Sequence, residues 1–93
     1  MQVCEIRHDA DRHRFETTVE GYGCEIDYRL SNKVMTITHT GVPAPVGNRG
    51  IAAQMTRFAL ETARTNGWKV VPACSYAAAF LQRHPEFDDL RPR

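Results

Sequence analysis

The chain has 93 residues, 42% of them apolar and 25% charged, a length that supports one modest core and a composition unlike that of a disordered segment. Twelve basic against eleven acidic residues leave a formal net charge of +1, which excludes bulk electrostatic attraction to nucleic acid or to an anionic membrane. The basic side is ten arginines and only Lys33 and Lys69 as lysines, so local bidentate recognition of phosphate or carboxylate stays open.

From the first residue, Met1-Gln2-Val3-Cys4-Glu5-Ile6-Arg7-His8-Asp9 lacks the apolar stretch of a signal peptide. Residues 3–8 alternate as a strand, and Asp9-Ala10-Asp11 reads as a turn. A second strand over Arg12–Val19 carries Phe15, Thr17 and Val19 on one face, and Glu20–Gly23 turns the chain. Cys24, Ile26, Tyr28 and Leu30 then alternate with Glu25, Asp27 and Arg29, the clearest period-two segment. Ser31-Asn32-Lys33 is a further turn, and Val34–Thr40 is rich in β-branched residues. Four short strands joined by tight turns predict an antiparallel meander.

The pattern changes at the Pro/Gly-rich loop Gly41–Gly47. Ile51, Met55, Phe58, Ala59 and Thr62 recur at helical spacing, and Asn66-Gly67 ends that helix. Trp68–Pro72 is a short apolar strand, with Trp68 expected in the core. Ser75 is expected to cap a second helix with Ala77, Phe80, Leu81 and His84 on its buried stripe, stopped by Pro85. A helical crossover makes the two flanking strands parallel. The expected fold is therefore α/β, a mixed sheet in which a meander is followed by β-α-β-α, all in one domain over residues 1–93. The longest apolar run, Tyr76–Leu81, is far below the ~20 residues that span a bilayer.

Three cysteines, Cys4, Cys24 and Cys74, form no CxxC pair, which argues against a disulfide framework or a structural zinc and for a reducing, cytoplasmic setting. No metal site is expected among the His and Cys residues. Val46-Gly47-Asn48-Arg49-Gly50-Ile51-Ala52 lies between a strand and a long helix. Glycines admit an anion close to the backbone, the first-turn amides point at it, and the helix dipole adds roughly half a positive charge. Arg49 can add a charged fork; the plain alternative is a loop with helix-entry glycines and no ligand.

That stretch resembles the acyl-CoA loop of the GNAT acetyltransferase superfamily, Gln/Arg-x-x-Gly-x-Gly/Ala, with Gly50 and Ala52 at its last two signature positions and Gly47 in place of the first. His39-Thr40-Gly41-Val42-Pro43, Gly50-Ile51-Ala52, Pro72-Ala73-Cys74-Ser75-Tyr76 and Arg83-His84-Pro85-Glu86-Phe87 occur together in order, as in the small single-domain GNAT-like family. The resemblance implies a cleft between splayed strands, Val34–Val42 and Trp68–Pro72, that takes acetyl-CoA. Its pantetheine would pair near Thr40, Gly41 and Val42, and its pyrophosphate would sit on the Gly47, Asn48, Arg49, Gly50, Ile51 and Ala52 segment. It further implies acetyl transfer to an unidentified amine, or, as the alternative, a non-catalytic acyl-CoA binding or sensing module. Nucleic acid and membrane are not expected partners, and the chain is expected to be a monomer or weak dimer.

Three departures accompany the resemblance. By alignment Leu81 holds the position of the family's proton-donating Tyr, and Asp9-Ala10-Asp11 replaces the helices that build the acceptor wall. Cys74 holds the position of an Asn. A helix N-terminus favours a thiolate, so Cys74 is a candidate for acylation, for a cofactor contact, or for plain packing. His39 closes the strand beside the implied thioester; imidazole suits proton acceptance from an amine, and a structural hydrogen bond to a loop is the other reading. Arg83 can reach a CoA phosphate or make a surface ion pair. Cys4 and Cys24 are expected to pack, His84 to cap or pack, and His8 and His13 to lie in solvent.

Overall fold

A computed structural model describes residues 4–92. Five strands, β1 (Arg7–Asp9), β2 (Arg14–Val19), β3 (Tyr22–Ser31), β4 (Val34–Gly41) and β5 (Lys69–Pro72), form one sheet in chain order. The first four pair antiparallel and β4 pairs parallel with β5. Helix α1 (Ile51–Asn66) makes the crossover between β4 and β5, and α2 (Ser75–Arg83) follows β5. The mixed sheet expected from the sequence is present, as a meander followed by β-α-β-α.

The hairpin turns are short because their central residues accept positive φ: Glu20 and Gly21 between β2 and β3, Asn32 and Lys33 between β3 and β4. Such turns match the right-handed twist of the strands they join. The strand boundaries differ from expectation at the first hairpin. Strand β1 starts at Arg7, Asp9 belongs to it, and the turn runs over Ala10–His13; Val3, the first residue of the expected strand, lies outside the described residues. Tyr22 and Gly23, expected in a turn, open β3.

One sheet face carries the core. Phe15, Val19, Ile26, Tyr28, Met35, Ile37 and Val70 are buried there with Cys24 and Thr17. Both helices pack on that face. Met55 and Ala59 point inward as expected, but Phe58 is 38% exposed, and Thr56, Leu60 and Ala63 are buried instead. The buried face of α1 is thus rotated toward β5, because α1 packs on that strand and on the C-terminal turn as well as on the meander. Phe58 still meets Phe15 edge-on, with ring centroids 5.8 Å apart. Trp68 is half-buried against the core rather than within it.

Helix α2 is capped by Cys74, not Ser75: Ala77 N–H donates to the Cys74 sulfur at 3.4 Å. Pro85 ends it and opens a 3-10 turn over Pro85–Leu90 that buries Phe87 and Leu90. Arg64 fixes this turn, donating to the Glu86 carbonyl at 2.9 Å and to Asp89 at 2.8 Å while lying over the Phe87 ring. His84 donates from Nδ1 to the Phe80 carbonyl at 2.8 Å and stacks on Phe80. Contrary to expectation, His8 and His13 are not simply solvated. His8 stacks on Phe15, with its Nε2 2.6 Å from the Tyr28 hydroxyl, and His13 stacks on Tyr28. An imidazole offers a flat apolar face as well as its nitrogens, and the open end of the core takes that face.

Among the described residues no helix lies over the other sheet face. Cross-strand polar pairs occupy it: the ion pairs Arg7 with Glu16 at 3.2 Å and Arg14 with Asp27 at 2.7 Å, and the hydrogen-bonded His39 and Glu25 at 3.0 Å. No helix of the described residues is long and apolar enough to cross a membrane.

Candidate active site

Strand β4 organises the candidate site because its alternation breaks. Tyr28 faces Ile37 and Asp27 faces His39, so Thr38 is one residue too many on β4. The bulge lets Ile37 stay in the core while His39 joins Glu25 on the uncovered face. Thr40 then returns to the helix side, where its hydroxyl lies 3.5 Å from the Cys74 sulfur. Pairing with β5 stops at Ile37–Pro72, with a last bond from Ala73 N–H to the Ile37 carbonyl at 2.9 Å. Beyond it, Thr38–Gly41 continues without a β5 partner.

After β4, Ala44–Val46 forms one 3-10 turn, and Asn48 and Gly50 take positive φ. Gly50 is the N-cap of α1 at φ 78°, and having no side chain it caps nothing; no acidic residue occupies the first turn. The first α1 bond runs from Gln54 N–H to the Gly50 carbonyl. The leading amides of α1 therefore lack a side-chain acceptor, and the positive end of the helix dipole is uncompensated. A cavity of about 200 Å³ lies here, lined by Val42, Val46, Gly47, Asn48, Gly50, Ile51, Ala52, Ala53 and Tyr76. This donor set fits an anionic phosphate group.

Six of the residues singled out from the sequence, Val42, Gly47, Asn48, Gly50, Ile51 and Ala52, thus line one cavity. Thr40 and Cys74 meet on the helix side of the sheet, and Gly41 lies in register with Glu25. Arg49 is turned away from the cavity lining: its guanidinium is paired with Glu20 in the β2–β3 turn and reaches the Pro45 carbonyl at 3.4 Å. This contact holds the Glu20 carboxyl below and the Arg49 guanidinium above their ordinary ranges. Arg83 ends α2, exposed and outside the cavity lining, on the helical face of Tyr76 two turns earlier. His39 lies on the far side of the sheet from Cys74.

Tyr76, Glu25 and Glu20 were not singled out by sequence reasoning. Tyr76 follows the helix start directly, and that adjacency was the available signal. Burial pushes its hydroxyl up, with Arg83 opposing, so it lines the cavity as a protonated donor. Glu25 and Glu20 depend on strand register and on a contact 29 residues away. Burial also pushes up the thiols of Cys4 and Cys24, the latter aided by the neighbouring Cys4 and Glu25. Leu81, which the resemblance sets at the position of the family's Tyr, is 1% exposed and belongs to the core. Among the described residues no three His, Cys, Asp or Glu side chains converge on a metal site.

A bulged β4 parts from β5 beside an uncapped, glycine-led helix, and the fold so built is similar to a solved GCN5-like one. Residues 14–90 match the model of the GCN5-related N-acetyl-transferase family, and the chain belongs to that family. It is 29% identical over 90 residues to Protein NATD1 of Bos taurus and equally to Protein NATD1 of Homo sapiens, covering 90% of this chain and 79% of each relative. The NMR solution structure of a GCN5-like protein from Staphylococcus aureus superposes with a TM-score of 0.76 at 27% identity, covering 99% of this chain and 91% of that one. The small, GNAT-like resemblance read from the sequence is borne out.

Proposed function

We propose that the protein binds acetyl-CoA and transfers its acetyl group to an amine. The observation that carries this reading is the cavity at Gly47–Ala53, where α1 begins without a side-chain cap. Pyrophosphate would be held there by the leading amides and the Tyr76 hydroxyl, and the pantetheine arm would run along Thr40–Val42, past the last residue of β4 that pairs with β5. Bound acetyl-CoA supplies an activated acyl carbon and a thiolate leaving group. The amine lone pair forms the new C–N bond as the C–S bond breaks. The amine proton goes to His39 on the uncovered face, while backbone amides of β4 steady the carbonyl oxygen. Cys74, on the helix side with Thr40, serves as a cofactor contact; a covalent acyl relay through its sulfur is the alternative role.

The test is turnover of acetyl-CoA with a panel of alkyl and aryl amines, reading free thiol and acetylated product together. Product that depends on His39 supports transfer. Binding of CoA without product across the panel favours the non-catalytic binding module, a second reading supported by Leu81 standing where the family places a proton donor. Acetyl-CoA alone should leave Cys74 unmodified by mass spectrometry, and Cys74→Ala should weaken CoA binding while residual transfer persists. A stable acetyl adduct on Cys74, with transfer abolished in Cys74→Ser, would establish the relay instead.

A further inference from the structure

Glu25 and Gly41 face each other across β3 and β4. Because Gly41 has no side chain, the Glu25 carboxylate bends over it and meets the diagonal neighbour His39, with Oε2 3.0 Å from Nε2. A Cβ placed on Gly41 would lie 2.0 Å from Glu25 Oε2 and 2.9 Å from His39 Nε2. The glycine is thus the seat of the pair. Asp27, which faces His39 in register, does not compete, because Arg14 holds it at 2.7 Å.

A carboxylate only accepts, so Nε2 is the nitrogen that carries the proton in this contact. No hydrogen bond among the described residues engages Nδ1 of His39. We infer that Glu25 is a positioning residue for His39: seated over Gly41, it holds the ring by Nε2–H and leaves the Nδ1 lone pair as the proton acceptor. This inference rests on the transfer proposed above. As the amine nitrogen bonds to the acyl carbon and the thiolate departs, the amine proton passes to Nδ1. Glu25 stabilises the imidazolium so formed without itself taking the proton, and the proton then leaves to the thiolate or to solvent.

The experiment is a kinetic cycle on the full chain with acetyl-CoA and the best acceptor of the amine panel. It compares His39→Gln, Glu25→Ala, the double variant and Gly41→Ala, with 15N spectra of the imidazole recorded alongside. Glu25→Ala should lower kcat at least tenfold and leave KM for acetyl-CoA within twofold. The double variant should be no worse than His39→Gln alone, because Glu25 acts through the ring. Gly41→Ala, whose new methyl displaces the flexible end of Glu25 and crowds His39 Nε2, both side-chain ends, should repeat the kcat loss and keep the fold. The spectra should show Nδ1 as the unprotonated nitrogen in the unmodified protein and a mixed tautomer in Glu25→Ala. Full kcat in Glu25→Ala beside a large loss in His39→Gln would overturn the positioning role and leave the base in place. Full activity in His39→Gln, or no turnover by the unmodified protein with any amine, would overturn the transfer reading and this inference with it.

Discussion

The two faces of the sheet are built from the same strands and obey different physics. The helix-covered face is mostly apolar and buried, and it ends at the part-buried Thr40–Cys74 contact. The uncovered face carries solvent-accessible ion pairs and ends at the hydrogen-bonded Glu25 and His39. Stability resides on the first face, because burying apolar area yields far more than exposed ion pairs do. The second face is left free to carry charge. The bulge at Thr38 is what allows one strand to serve both, sending His39 to one side and Thr40 to the other.

The largest effect should separate the faces directly. Phe15→Ala opens a cavity in the core and should cost about 3–5 kcal/mol in urea unfolding. Arg14→Ala, the adjacent residue on the other face, should cost less than about 1 kcal/mol. Equal losses would erase the distinction between the faces. Gly50→Val tests the cradle next. In the unmodified protein CoA at 100 times its dissociation constant should stabilise the fold by about 2.7 kcal/mol. A β-branched residue at φ 78° should abolish that increment while a folded domain remains; an unchanged increment would remove the cradle from the binding site.

Smaller effects sharpen the picture. Glu20→Gln should release Arg49 from its partner and tighten CoA binding severalfold by calorimetry, with a steeper salt dependence. Unchanged affinity would mean that the guanidinium stays at the Pro45 carbonyl. His8 tests the open end of the core. Burial, its main influence, lowers its pKa, so the unfolded chain takes up a proton that the folded chain resists. Stability should therefore decline as pH falls through the ordinary imidazole range, near ~6.5. The thermal midpoint of His8→Gln should vary less between pH 7 and pH 5, and an unaltered slope would place the titrating group elsewhere.

Much of the fold was legible because period-two and period-3.6 patterns depend on neighbours in the chain. Cys24, Ile26 and Tyr28 alternate cleanly and are buried together. That most of Gly47–Ala52 would meet around one helix entry was legible for the same reason: loop, glycine and helix start are contiguous. What escaped depends on register or on packing direction. Phe58 fits the apolar stripe of α1 but lies outside it, since α1 also packs on β5 and the final turn. Glu25 reads as a surface residue until the β3–β4 register sets it opposite Gly41. Arg49 reads as a free anion ligand until the fold delivers Glu20 to it. The cap at Cys74 was missed because serine is the commoner acceptor at that position.

The most direct measurement is a 15N–1H NMR titration of the full chain with CoA, with amides followed residue by residue. Saturable shifts should concentrate on Gly47–Ala53, on Tyr76 and on Thr40–Val42, and the amides of Arg7 and Glu16, whose side chains pair on the uncovered face, should stay in place. No shift at millimolar CoA, or shifts confined to the uncovered face, would contradict a cofactor site at the start of α1.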